Sequence, residues 1–202
     1  MKNKFQICVC GWYYYPEFYK ALLRVKDKFS IIVIGNKEGE VFNLPFVLRN
    51  NIGLDWGAYS FFLDNKWDGK SNVLFMQDDS TVSDGFFEEM SKISFDQAFI
   101  FRNQKEFEEN YSHGRAFFAS GKFLKNLNED GGILFDEGNN GFIAKGTSWS
   151  EKPPKGCQDH NAGIRDFTSK VKRIGENNPE LSVNKQVYSE KVRLGRRGVI
   201  SR

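Results

Sequence analysis

FQICVCGWYYYPEFYKALLRVKDKFSIIVIG, residues 5–35, is the stretch that decides the fold. It opens with a short apolar, β-prone run at residues 5–10 and closes with a second one at residues 29–34. Between the two runs, Pro16 suits the first turn of a helix, and apolar side chains follow it at helical spacing. Two buried strands joined by a helix form the unit from which parallel sheets are built, so the stretch predicts an α/β fold.

The same alternation of strand and helix continues outward from this unit. Further strands are expected at residues 44–48, 72–76, 97–101 and 113–120, and further helices at 57–64, after Asp84, at 121–127 and at 164–174. Asp55 is expected to cap the helix at 57–64, and Asp84 the helix that follows it. We therefore expect a single domain, in which a central, mostly parallel sheet is flanked by helices.

The composition fits such a domain. A chain of 202 residues, with 40% hydrophobic and 27% charged residues, is long and apolar enough to bury one core. Its formal net charge is +3, but residues 184–202 hold six cations and one anion, which leaves the rest near −2. We expect a domain over residues 1–183, divided near residue 103, and a basic tail at 184–202. That tail suits contact with phosphate or an anionic surface, or is a solvated terminus.

The cysteines and the N-terminus indicate the cellular compartment of the protein. Cys8, Cys10 and Cys157 have neither metal-ligand nor redox spacing, and free thiols fit a reducing cytoplasm. The apolar run near the N-terminus is too short for a signal peptide, and no stretch reaches transmembrane length. We expect a cytoplasmic protein without a transmembrane segment.

Polar residues follow three of the expected strands, in residues 11–13, 49–55 and 77–80. Ligands of open α/β sheets bind beyond the carboxyl ends of the strands, and alternating connections bring these ends to one edge. The adjacent carboxylates of Asp78 and Asp79 suit a divalent cation that also holds phosphate, or a solvated turn that caps the next helix. The sequence thus places a candidate site at this edge.

The other polar residues at the three strand ends have similar alternatives. Asp55 suits a hydrogen bond to a base or ribose hydroxyl as well as a helix cap, and Arg49 suits a diphosphate as well as the surface. Trp12 is expected either in the core or beside a base. Later in the chain, Asp136 or Glu137 is a candidate general base, and the polar cluster around His160 is a candidate lid.

NNIGLDWGAYSFFLD at residues 50–64, followed by VLFMQDDSTV at 73–82, resembles the nucleotide-sugar-binding half of GT-A glycosyltransferases. The likeness is to enzymes that act on bacterial or viral glycans, including rhamnan-synthesis-type proteins with an Asn-x-Gly-x-Asp-x-Gly element, and it covers residues 5–93. It implies a GT-A-like, Rossmann-like fold. It also implies transfer of a sugar from a nucleoside-diphosphate sugar, with UDP as the expected nucleotide, to a hydroxyl of a glycan or of modified DNA.

The resemblance, together with the chemistry of the residues considered above, gives expected roles for individual residues. Gln77 departs from the family's Asp-x-Asp motif, so the requirement for Mn²⁺ or Mg²⁺ is open. The expected catalytic residues are Asp79 and Asp136, the expected metal ligands are Asp79 and His160, and the expected nucleotide-binding residues are Trp12, Arg49, Asn51, Gly53, Asp55 and Asp78.

Two other functions remain open on the sequence alone. A nucleotidyltransferase also uses acidic residues at strand ends, although its usual Gly-rich, basic loop is replaced here by aromatic residues at 12–15. A non-catalytic module that binds a nucleotide sugar is favoured by Gln77. Neither the donor sugar nor the stereochemistry of transfer follows from these residues.

Overall fold

A computed structural model describes residues 5–92, 97–102, 116–133, 162–188 and 192–193. The strands in these ranges are β1 (Phe5–Gly11), β2 (Ser30–Gly35), β3 (Phe46–Leu48), β4 (Asn72–Gln77), β5 (Thr81–Val82), β6 (Gln97–Arg102), β7 (Ala116–Ala119), β8 (Ser182–Tyr188) and β9 (Val192–Arg193). The helices are α1 (Pro16–Leu23), α2 (Leu54–Asn65), α3 (Phe86–Met90), α4 (Gly121–Glu129) and α5 (Ala162–Asn177).

The main sheet has seven strands in the order β3-β2-β1-β4-β7-β6-β8. All of its strands run in one direction except β7, which is antiparallel to both β4 and β6. The chain moves from β1 to β2 on one side and returns to place β4 on the other side of β1. The predicted α/β fold with a mostly parallel sheet is confirmed, and its topological switch point lies between the carboxyl ends of β1 and β4.

The central strands β1, β4 and β7 are buried on both faces, as expected for strands covered by crossover helices. Alternate residues of β1 divide between two cores: Ile7 packs on the face with α1 and α3, and Cys8 packs on the face with α2, α4 and α5. The second face is rich in aromatic rings, with Phe75 and Phe117 stacked at 4.4 Å between ring centroids. Most of the unusual aromatic content of the described residues therefore serves packing.

Two helix starts differ from the predictions. The residue that precedes α2 is Gly53, with a left-handed φ of 72°, and Asp55 lies inside the first turn instead of capping it. Likewise Gly85, with a φ of 80°, precedes α3, and Asp84 instead forms an exposed ion pair with Arg24 at 3.1 Å. In both places a glycine that tolerates positive φ lets the chain turn directly into the helix, so the acidic residue is not needed as a cap.

The predicted boundary between domain and tail falls inside β8. This strand pairs in parallel with β6 in the main sheet, and β9 pairs with β5 in a separate two-stranded sheet. Val192 of β9 is 4% exposed and packs in the same core as Val82 of β5. The backbone of residues 184–188 and 192–193 is thus paired in these two sheets, and the division of the chain into a domain and a basic tail stays a prediction. Among the described helices, none is long and apolar enough to cross a membrane.

Candidate functional site

The carboxylate of Asp78, directly after β4, organises the loop between β1 and α1. It accepts hydrogen bonds from the backbone N–H groups of Trp12 at 3.0 Å, Tyr13 at 3.0 Å and Tyr14 at 2.7 Å, and from the Tyr19 phenol at 3.0 Å. Burial raises the pKa of Asp78, and the hydrogen bonds from these amides and the phenol oppose that effect. The loop is therefore fixed to the end of β4 by one side chain.

Asp78 serves the structure of this loop, and its predicted contact with a nucleotide stays a prediction. The sequence predicts that Asp78 contacts the nucleotide, but its side chain has no exposed surface because the loop encloses it. In this conformation the Asp78 carboxylate holds the loop.

The loop held by Asp78 presents aromatic rings at the edge of the sheet. Tyr13 is 49% exposed and stacks on Tyr15, with 5.6 Å between ring centroids. Trp12 is partly buried, and the Lys37 ammonium lies 4.7 Å from the centre of its ring. Tyr14 has a φ of 55°, a left-handed conformation that is costly for a bulky residue, and its phenol donates to the backbone of Lys37.

A second loop, between β3 and α2, is held by Arg49 and Asn36. The Arg49 guanidinium donates to the side-chain oxygen of Asn36 at 2.6 Å and to the carbonyl of Ile52 at 2.6 Å. Asn36, which follows β2, donates in turn to the carbonyl of Leu54 at 3.0 Å. Partial burial lowers the pKa of Arg49. These two hydrogen bonds of Arg49 serve the loop itself, and its predicted contact with a diphosphate stays a prediction.

The backbone geometry of this loop requires both glycines of the Asn-x-Gly-x-Asp-x-Gly element. Gly53 needs its positive φ, and a Cβ on Gly57 would lie 1.9 Å from the carbonyl oxygen of Ile52. Asn51 is partly buried, and its side-chain oxygen is enclosed without a hydrogen-bond partner among the described residues. The element thus shapes a tight turn that places Asn51 and the start of α2 at the switch point.

Gln77 and Asp55 connect the end of β4 to the start of α2. The side-chain amide of Gln77, the last residue of β4, donates to the carboxylate of Asp55 in the first turn of α2 at 2.6 Å. Asp79 is 7% exposed and lies two residues beyond Gln77. The Tyr59 phenol is buried close by: burial chiefly raises its pKa, and Cys10, Asp55 and Asp79 add to the shift. The structure therefore brings Asp55, Asp78 and Asp79 into one region.

The described residues do not by themselves provide a set of ligands for a divalent cation. No group of three or more His, Cys, Asp or Glu side chains within them is arranged to hold a metal ion. Gln77 supplies an amide where the family has a carboxylate, and Asp78 is enclosed by the loop. His160, Asp136 and Glu137 lie outside the described residues, so the metal site at Asp79 and His160 and the base at Asp136 stay predictions.

Three residues of the site were not found from the sequence in these roles. They are Asn36, Tyr19 and, as the partner of Asp55, Gln77. Asn36 carries a usable signal, because it directly follows a buried strand at the same edge as the other polar segments. Tyr19 carries none, because its position on the inner face of α1 suits a core residue equally well.

No protein-family model matches the chain, and no curated protein sequence matches it. Among solved structures, the apo form of the glycosyltransferase GlyE of Streptococcus pneumoniae aligns with 91% of this chain and 45% of its own, at 11% identity and a TM-score of 0.44. A mutant Drosophila β1,4-galactosyltransferase 7, in complex with manganese, UDP-Gal and xylobiose, aligns with 96% of this chain and 67% of its own, at 9% identity and a TM-score of 0.49. The chain spans less than half the length of GlyE and about two thirds of that of the galactosyltransferase.

Proposed function

We propose that this protein is a glycosyltransferase that moves a sugar from a nucleoside-diphosphate sugar to a hydroxyl group. The observation that supports the proposal most is the junction at the carboxyl ends of β1 and β4. There, neighbouring residues of one strand end, Gln77 and Asp78, tie the aromatic loop and the first turn of α2 to the switch point of the sheet. This is the place where open α/β sheets bind nucleotides.

The residues around the junction suit the parts of a nucleotide. The exposed ring of Tyr13 and the ring of Trp12 offer stacking surface for a base. The Asp55 carboxylate and the enclosed side-chain oxygen of Asn51 are hydrogen-bond acceptors, as the hydroxyls of a ribose require. The N-cap residue of α2 is Gly53, which has no side chain to accept hydrogen bonds from the first turn. The backbone N–H groups of an uncapped first turn favour the binding of phosphate.

The proposed reaction needs a base and a stabilised leaving group. A base removes the proton of the acceptor hydroxyl as its oxygen attacks the anomeric carbon, while the bond from that carbon to the diphosphate breaks and the nucleoside diphosphate leaves. Asp136 is proposed as the base, and Asp79 is proposed to act beside the diphosphate. A divalent cation at Asp79 and His160 would neutralise the diphosphate, but the described residues do not complete such a site, and no step of the proposed reaction depends on it.

Nucleotide binding is the first test of this proposal. UDP, GDP, CDP, dTDP and ADP at about 1 mM are added in EDTA and in Mn²⁺, and the melting temperature is measured. A ligand that binds only the folded state at about 100 times its Kd adds about 2.7 kcal/mol, so one of these nucleotides should raise the melting temperature by several degrees. The matching nucleotide sugar is then assayed for transfer to glycan and to hydroxymethylated DNA. A panel without any shift would contradict the proposal.

The same panel separates the alternative functions. The amide of Gln77 in place of a carboxylate favours a binding module, which would bind the nucleotide sugar and release neither sugar nor nucleotide with any acceptor. A nucleotidyltransferase would instead release pyrophosphate from a nucleoside triphosphate and a sugar 1-phosphate. Each outcome differs from sugar transfer in the product that is detected.

A further inference from the structure

We infer that Gln77 is a positioning residue that holds the Asp55 carboxylate in place for the nucleotide, without a cation between residues 55 and 77. The inference rests on the proposed function. Gln77 departs from the Asp-x-Asp pattern, in which a carboxylate stands at this position.

The contact joins two rigid elements. Gln77 ends β4, which pairs with β1 on one side and β7 on the other, and Asp55 lies in the first turn of α2, whose Trp56 and Tyr59 are buried. The bond from the Gln77 amide to the Asp55 carboxylate is 2.6 Å long and partly buried. Hydrogen bonds from a neutral donor to an ionised acceptor are among the stronger ones, so this bond fixes both the place and the orientation of Asp55.

A carboxylate at position 77 would have the opposite effect. Two anionic oxygens would then face each other across the space that the 2.6 Å hydrogen bond now spans. Like charges at such a distance repel by several kcal/mol in a partly buried setting, unless they share a proton or a cation. The Gln77 amide therefore places a hydrogen-bond donor where a second carboxylate would need a shared proton or cation.

The neighbouring residues support the same role for Gln77. The Asp78 carboxylate is enclosed and accepts hydrogen bonds from the amides of the β1–α1 loop. The Arg49 guanidinium donates to Asn36 and to the carbonyl of Ile52. The hydrogen bond from Gln77 thus ties the Asp55 carboxylate to the end of β4.

Two variants test the inference: Gln77→Glu, which changes one amide into a carboxylate of nearly equal size, and the exchange Asp55→Asn with Gln77→Glu. Melting temperature without nucleotide is measured in EDTA and in Mn²⁺, and UDP is the binding probe. In EDTA, Gln77→Glu should melt several degrees below wild type and bind UDP at least tenfold more weakly, and Mn²⁺ should raise its melting temperature more than that of wild type. The exchange should restore the melting temperature, since an amide again faces a carboxylate, but not the UDP affinity.

Asn65→Asp is the matched control, because it adds the same charge at the exposed far end of α2. Its response to Mn²⁺ should equal that of wild type. Equal melting temperature and UDP affinity of Gln77→Glu and wild type in EDTA would overturn the inference alone, and so would an exchange variant that binds UDP as well as wild type. A wild-type protein that binds no nucleotide would overturn the proposed function and the inference together, whatever the melting temperatures show.

Discussion

The Asp78 carboxylate accepts a 2.7 Å hydrogen bond from the backbone N–H of Tyr14, although the two residues lie 64 positions apart in the chain. Tyr14 has a φ of 55°, a conformation that costs a bulky residue roughly 1–2 kcal/mol. The carboxylate offsets this cost by satisfying three successive N–H groups of the loop. The two members of the acidic pair therefore differ in role: Asp78 builds the site, and Asp79 is proposed for its chemistry.

Asp78→Asn should destabilise the protein and weaken nucleotide binding. An amide keeps one acceptor oxygen but turns an NH₂ group toward the N–H donors of the loop, so we expect a loss of about 2–4 kcal/mol. Urea unfolding measures this loss. Tyr19→Phe removes only one of the bonds and should cost about 1–2 kcal/mol. A variant as stable as wild type would show that the loop holds its conformation without Asp78.

Asp79→Asn should affect the reaction far more than the fold. Asp79 lies in the turn after β4, and asparagine has nearly the same size, so the change in unfolding free energy should stay below about 2 kcal/mol. Transfer should fall at least about 100-fold, as is typical when a group beside the reacting atoms is lost. Urea unfolding and a transfer assay give the two values. Full transfer activity in this variant would show that Asp79 takes no part in the reaction.

The sequence predicts the first half of the fold well, because each buried strand there is a continuous apolar run. Asn72–Gln77 is an example: its first five residues are buried, as the run NVLFM indicates. Strands β5 and β9 have two residues each, too few for any periodicity, and β8 is half polar and overlaps the predicted basic tail. These strands form because each pairs with a strand that is distant in the sequence, and local sequence patterns do not predict such pairing.

The candidate site is likewise predictable from the sequence only in part. Its location follows from the sequence, since polar residues after strands share one edge of a parallel sheet. The partners do not follow, because Asp78 and Gln77 reach residues 64 and 22 positions away, and neither spacing has a local signature. The cap predicted at Asp55 is wrong for a local reason: Gly53 can adopt the positive φ of the turn, and the helix begins one residue before Asp55.

Gly57→Ala should destabilise the protein, although alanine is the better residue inside most helices by about 1 kcal/mol. The added Cβ would lie 1.9 Å from the carbonyl oxygen of Ile52 and 2.9 Å from the Arg49 guanidinium, so the turn before α2 must shift. We expect a loss of about 2–3 kcal/mol in urea unfolding, together with weaker nucleotide binding. Ser60→Ala in the same helix is the control and should stay within about 0.5 kcal/mol of wild type. A more stable Gly57→Ala variant would contradict the close approach.

The last prediction concerns the basic end of the chain, and it uses two truncations. A protein that ends at Lys191 loses β9, which uncovers Val82 of β5, two residues beyond Ser80. Removing the buried Val192 should cost about 1.5–3 kcal/mol and weaken donor binding, because β5 loses its partner strand. A protein that ends at Arg193 keeps β9, so its stability and donor hydrolysis should match those of wild type.

The shorter of the two deletions isolates the charge of the tail. It removes the three arginines of residues 194–202, and if the acceptor is a polyanion such as DNA, each lost phosphate contact reduces the release of counterions. Acceptor binding should then be weaker at low salt and should fall less steeply as salt increases. Affinity for acceptor is measured for both proteins between about 50 and 200 mM salt, the range over which such contacts change binding most. Equal affinities at every salt concentration would make residues 194–202 a passive terminus and would remove nucleic acid from the proposed acceptors, leaving glycans.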